Sequence, residues 1–279
     1  MKLDYEETMH ISLLQTENTK YLTRHITSAE EFNTCKETIE FELEIIGETL
    51  LFSIDIVPKM MKLSEIVPLA YEISSRISTF IQKKSRNEGI IIPCQKGCSA
   101  CCSYLVPLSI PEAFHLRNTV LSLPEDTANS VFNSFLTSAK CILNKTSEDM
   151  QSMELDQLSI WYSKLNLSCP LLSDNACSIY DKRPVACREY LVQGTNLYCT
   201  PSHKIDAQKI GLSVSITECL GKLSAELKQT EIEAIMMPLA ILWAQDNLDS
   251  DSETWYSVDI IRRFTQIIKE SSGILSAAI

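Results

Sequence analysis

Polar and apolar residues alternate from Thr38 to Ile46 (TIEFELEII), the period-two pattern of a strand with one face buried. Gly47-Glu48 follows as a turn, and Thr49 to Val57 resumes in strand-like residues, so the segment predicts a β-hairpin stopped by Pro58. The period then changes. From Met60 to Arg86, Ile66, Leu69, Ile73, Ile77, Phe80 and Ile81 recur near helical spacing, and Gly89 ends that helix. Residues 91–106 follow neither period. Ser109-Ile110-Pro111-Glu112 has capping-box spacing with an early proline, which starts a helix that runs to about Leu123, before Pro124. Further helices are expected near Glu125–Leu143, Gln151–Leu165, Glu231–Gln245 and Thr254–Glu270, while 169–202 is irregular. The expected fold is α+β and mostly helical, with a small N-terminal β-hairpin and cysteine-rich loops packed among helices. Three segments follow from this: 1–90 with the hairpin, a metal-binding domain at 91–202, and a C-terminal helical segment at 203–279 packed on it.

The two irregular stretches hold the chemistry. The first contains Cys94, Cys98, Cys101 and Cys102; the second contains Cys169, Cys177, Cys187 and Cys199. Eight of the 11 cysteines thus fall in two short loops separated by 66 residues of expected helix, and helices that fold back would bring the loops together. Cys98-x2-Cys101 is a chelating spacing, because one turn of loop can aim both thiolates at one centre. Gly97 lets the backbone turn tightly beside them. Buried core thiols, disulfides and a metal-free thiol relay are the competing readings. Cys35, Cys141 and Cys219 stand alone and read as core thiols. The histidines, His10, His25, His115 and His203, are scattered, and His203 near Cys199 reads as a solvated loop residue.

Charge and composition narrow the partners. The chain has 279 residues, is 45% apolar and carries a net charge of -11. That argues against nucleic-acid or membrane partners, both of which demand basic surface. Between Cys94 and Cys199 there are eight Lys/Arg against ten Asp/Glu, so the rest of the chain carries -9 and thiolates in the cysteine region would meet local positive charge. No apolar run is long enough to span a bilayer, and the first 20 residues do not read as a signal peptide. A cytoplasmic location is expected, where clustered cysteines bind metal or react more often than they pair. No nucleotide-binding loop and no H-E-x-x-H motif is present.

The cysteines, together with Cys169-Pro170-Leu171-Leu172, Cys177-Ser178-Ile179-Tyr180 and Arg183-Pro184-Val185-Ala186-Cys187-Arg188-Glu189-Tyr190-Leu191, resemble the YkgJ-like cysteine-cluster family, zinc- or iron-chelating proteins named for a CxxCxxCC pattern. The resemblance spans about residues 38–202. The first gap here is three residues rather than two. The resemblance implies metal binding, and it is the main reason for counting Cys199 with the others. Flagellin lysine methylases carry a similar cluster, so a metal-dependent enzyme of protein or small-molecule modification is one alternative. A zinc-stabilised interaction module is another.

Structural zinc and iron–sulfur cubanes each take four thiolates. Two adjacent residues on one ion make a cramped ring, so either Cys101 and Cys102 reach towards different atoms of a polynuclear centre or one of them stays out. This favours an iron–sulfur cluster over zinc. Arg183 and Arg188 flank Cys187 and are candidates to hydrogen-bond its sulfur from outside the ligand set, against a plainer reading as surface partners of Asp181 and Glu189. Tyr180 and Tyr190 read as packing residues. Catalytic residues are not assigned, and the partner, protein or small molecule, is open.

Overall fold

A computed structural model describes residues 9–14, 36–146, 153–200 and 208–275; Cys35, His25 and His203 lie outside them. Strand β1 (Met9–Leu14) pairs with β3 (Glu48–Ile56), which also pairs with β2 (Glu37–Ile45), so β3 is central in an antiparallel sheet. In the β2–β3 register Phe41 faces Phe52 and Ile45 faces Glu48. Phe41, Leu43 and Ile45 are buried while Glu40, Glu42 and Glu44 between them are exposed, as the alternation requires. The turn is Ile46-Gly47, one residue earlier than expected. Both residues have positive φ (51° and 71°), the conformation that a two-residue hairpin loop needs, so Glu48 is free to open β3.

The next helix starts late. Met60–Met61 forms the short β4, Leu63–Ile66 a single 3-10 turn, and α1 runs over Val67–Asn87 with Pro68 in its first turn. Proline lacks the N–H that an earlier start would require. Then come β5 (Pro107–Ser109) and α2 (Ile110–Leu121), whose Ser109/Glu112 capping box is formed as expected. Helices α3 (Glu125–Leu143) and α4 (Leu155–Lys164) follow. The second cysteine region contains the hairpin β6 (Leu172–Ser173) and β7 (Ala176–Cys177), the five-residue α5 (Val185–Glu189) and β8 (Val192–Gln193), which pairs with β9 (Gln208–Lys209).

Helix α6 (Ile216–Lys228) was not expected. Its buried face includes Cys219, Gly221, Ser224 and Ala225, small residues that blur an apolar period. The last expected helices are both trimmed at the start. Ala234–Met236 is β10, paired with β5, before α7 (Ala240–Asp246); Trp255–Tyr256 is β11, paired with β4, before α8 (Ser257–Leu275). In both cases backbone pairing with a distant strand takes the N–H groups that a first helical turn would leave free. The fold is α+β and mostly helical. No helix among the described residues is long and apolar enough to cross a membrane.

Two apolar cores form among the described residues. The first joins the inner face of the hairpin to α1, α6 and α8, through Phe52, Ile54, Ile73, Leu220 and Phe264, with Val185 of α5 included. The second joins α2, α3 and α7 through Leu116, Phe135 and Ile241, with Leu171 and Ile179 included. Cys94 packs against the first core, and Cys169 and Cys177 against the second, so the cysteine loops lie where the two meet.

Candidate metal centre

The first cysteine loop is a chain of tight turns. The N–H of Cys98 donates to Gln95 O at 3.0 Å, that of Cys102 to Ser99 O at 3.0 Å and that of Tyr104 to Cys101 O at 3.1 Å. Gly97 has φ 91° and makes the reversal between Cys94 and Cys98 possible. The second loop is built differently. Asp174 and Asn175, at φ 49° and 60°, form the two-residue turn of the β6–β7 hairpin, in which Leu172 pairs with Cys177. Cys187 lies on α5, which Pro184 starts and which packs on α1. The two loops touch directly: the Cys169 N–H donates to Cys102 O at 2.6 Å.

All eight cysteines are free thiols; Cys199 is buried and the other seven are half-buried. Their side chains are close enough to act on one another electrically. Cys101 is the hub. It hydrogen-bonds Cys102, which is the main reason its thiol is pushed up, with burial second. A thiolate at Cys101 also raises Cys94, Cys169, Cys187 and Cys199, in each case behind the larger effect of burial. Burial and these neighbours put Cys187 at about 12 and Cys199 at about 11. As neutral thiols the set is tolerated. As thiolates its members repel, and only a bound cation reverses the balance. The donor set therefore suits a thiophilic metal. As placed, no three of the His, Cys, Asp and Glu side chains among the described residues form a group ready to hold one ion.

The lone cysteines differ. Cys219 is fully buried in the first core, and Cys141 is half-buried on α3. His115 sits on α2 with its ring edge-on to Tyr71, centroids 5.4 Å apart.

Arg183 lies over the Tyr180 ring at 4.0 Å and donates to Tyr180 O. Burial raises Cys94, Cys177 and Cys187, the bond to Cys102 raises Cys101, and the Arg183 charge offsets part of each rise. Arg188 is buried. Its guanidinium donates to Arg183 O at 2.8 Å, Ser75 Oγ at 2.6 Å and Asp181 O at 2.7 Å, and lies over the Tyr71 ring at 4.5 Å. Neither arginine pairs with the carboxylates of Asp181 or Glu189. Asp181 pairs with Lys96, and Glu189 accepts from Ile216 N–H and the Ser215 and Thr217 hydroxyls at the start of α6. Tyr180 and Tyr190 pack: Lys96 and Arg183 flank the first, and Tyr104 and Lys209 the second.

Three neighbours of the thiols carried no signal in the sequence beyond their position in a loop or cap. Asn196 Nδ2 donates to Cys98 Sγ at 3.7 Å, and Cys94 Sγ donates to Tyr190 O at 3.8 Å. Glu112, read only as a cap, also accepts the Val185 N–H at 3.0 Å, 73 residues away.

Residues 93–205 match the model of the CxxCxxCC family, described as a "Putative zinc- or iron-chelating domain". That segment is similar to the CxxCxxCC family. The YkgJ-like naming is consistent with it. The matched segment holds all eight clustered cysteines, and the hairpin, α6 and α8 lie outside it. No curated protein and no solved structure matches the chain.

Proposed function

We propose that Cys94, Cys98, Cys101, Cys102, Cys169, Cys177, Cys187 and Cys199 supply the ligands of a thiolate-held metal centre, an iron–sulfur cluster in preference to zinc. The observation that carries this is the position of Cys101, which is coupled to thiols of both loops while the loops share a backbone hydrogen bond. Bringing two loops 66 residues apart to one point costs closure entropy, and metal–sulfur bonds offset it. The preference for iron–sulfur rests on adjacency: Cys101 and Cys102 lie side by side, better suited to different atoms of a polynuclear centre than to one ion. Eight thiols exceed the four that one zinc ion or one cubane takes, so either two centres form or some of the thiols lie outside the ligand set. Arg183, close enough to offset part of the rise at four of the thiols, would offset the negative charge of such a centre. A cluster would supply one-electron transfer to an unidentified protein or small molecule.

One observation favours the enzyme alternative. An open cleft of about 230 Å³, lined by Pro107, Ala186, Glu189, Tyr190, Ser215 and Thr217, lies beside the helix that bears Cys187. Its carboxylate, Glu189, is already committed to the start of α6, so the cleft lacks a free acid or base from that residue.

Anaerobic purification followed by iron, zinc and acid-labile sulfide analysis tests the proposal. Iron with sulfide and a brown colour is expected. Stoichiometric zinc without sulfide replaces the cluster by a zinc site, and protein that takes up neither metal overturns the reading.

A further inference from the structure

Helix α5 is too short to hold itself. Its five residues are closed by few backbone bonds, among them Cys187 N–H to Pro184 O and Tyr190 N–H to Ala186 O, both 3.1 Å. Beside the bonds of Arg188 to Arg183 O and Asp181 O, contacts from outside both cysteine loops hold it. Ser78 of α1 donates to Arg188 O at 2.9 Å, and Ser75 of α1 accepts from the Arg188 guanidinium. The N–H at its start, Val185, is bound by Glu112 of α2.

Glu112 is the informative contact. A capping glutamate needs one carboxylate oxygen, and such a residue is at home on a helix surface. Here Oε2 does the capping, accepting from Ser109 N–H at 3.3 Å and Ser109 Oγ at 3.0 Å. Yet the side chain is 0% exposed, and no Lys or Arg ion-pairs with it among the described residues. Burying a carboxylate is costly. The cap alone does not account for it, whereas the second oxygen, Oε1, does: it fixes the residue two positions before Cys187.

We propose that Glu112 is the positioning residue for Cys187, orienting α5 so that its thiol faces the other cysteines. This rests on the metal-centre reading for its purpose but on the Glu112–Val185 contact for its geometry, and the two are tested separately. Two variants remove the contact by different routes. Glu112→Met keeps the length and removes both acceptors. Val185→Pro deletes the N–H at a first-turn position, where Pro184, at φ −52° and ψ 156°, already has the conformation that a following proline requires. Ser109→Ala is the control, since it weakens the cap and leaves Val185 bound.

In metal-free full-length protein, iodoacetamide alkylation is followed at each cysteine by mass spectrometry. Both variants should change the rate at Cys187 about tenfold, the worth of one hydrogen bond, with Cys94 and Cys98 unaltered. Separately, cobalt(II) is bound as a probe and the thiolate-to-cobalt absorption is measured. Glu112→Met should lower it as Cys187→Ser does, and the double variant should lower it no further, because Glu112 acts only through Cys187. An equal change at every cysteine, no change at Cys187, additive losses in the double variant, or the same behaviour from Ser109→Ala would each overturn the proposal. Wild-type protein that binds no cobalt while Cys187 alkylation still responds to both variants upholds the positioning role and refutes the metal centre.

Discussion

Gly97→Ala separates the geometry of the cysteine loop from its packing. Gly97 has φ 91°, and a Cβ added there would meet nothing within 4 Å, so no collision follows the substitution. The cost is purely that of holding an L-residue in left-handed backbone, about 1–2 kcal/mol. If Cys94, Cys98 and Cys101 must be held by this turn when metal binds, that cost appears in metal affinity, as a roughly 5- to 30-fold loss. Gly47→Ala is the matched control. It too has positive φ (71°) and nothing within 4 Å, but it lies in the β2–β3 turn. It should lower the melting temperature by a few degrees, as about 1 kcal/mol does in a domain of this size, and leave metal affinity alone. Anaerobic zinc competition against a chromophoric chelator reads the first effect, and thermal melts of both variants read the second. A Gly97→Ala affinity within twofold of wild type, or an equal loss in Gly47→Ala, would refute the reasoning.

Other expectations are independent of that turn. Single Cys→Ser variants at the clustered positions should bind less metal on elemental analysis, because serine replaces a soft thiolate by a hard, weakly acidic oxygen, whereas Cys141→Ser and Cys219→Ser should keep full occupancy. Cys219→Ser should still lower the melting temperature, since the residue is fully buried in the first core. Verified metal removal should destabilise the wild-type protein, and an unchanged melting temperature would count against a metal that joins the loops. Burial, and then the Lys182 charge, depress His115 to about 4. The unfolded chain therefore binds the proton more tightly, and stability should fall as pH is lowered from about 6.5 to about 4, by on the order of 3 kcal/mol from this group. Denaturant titrations across that range should show less of this loss in His115→Asn.

The hairpin was legible because the sheet buries one face only, so glutamates at 40, 42 and 44 mark the other. The start of α2 was legible because Ser109, Pro111 and Glu112 encode a cap locally. The starts of α1, α7 and α8 were not, because β4, β10 and β11 exist only through partners far along the chain. Asp174-Asn175 carried a hairpin signal, hidden by strands of only two residues. At the site, clustering and spacing singled out the eight cysteines. Nothing local could reveal that Cys169 would bond Cys102, that Arg188 would turn to carbonyls and Ser75, or that Glu112 would reach Val185. Those contacts depend on how α1 and α2 pack, and the spacing of residues within a loop carries no record of that.

The central claim is that thiolates from both loops share one metal centre. X-ray absorption at the iron and zinc edges of anaerobically purified protein tests it most directly. The account predicts a metal whose nearest shell is sulfur, at roughly 2.3 Å, with a second metal beyond it and with sulfur lost both in Cys101→Ser and in Cys187→Ser. A nearest shell of oxygen or nitrogen, or a sulfur shell unchanged by substitution in one of the two loops, would contradict it.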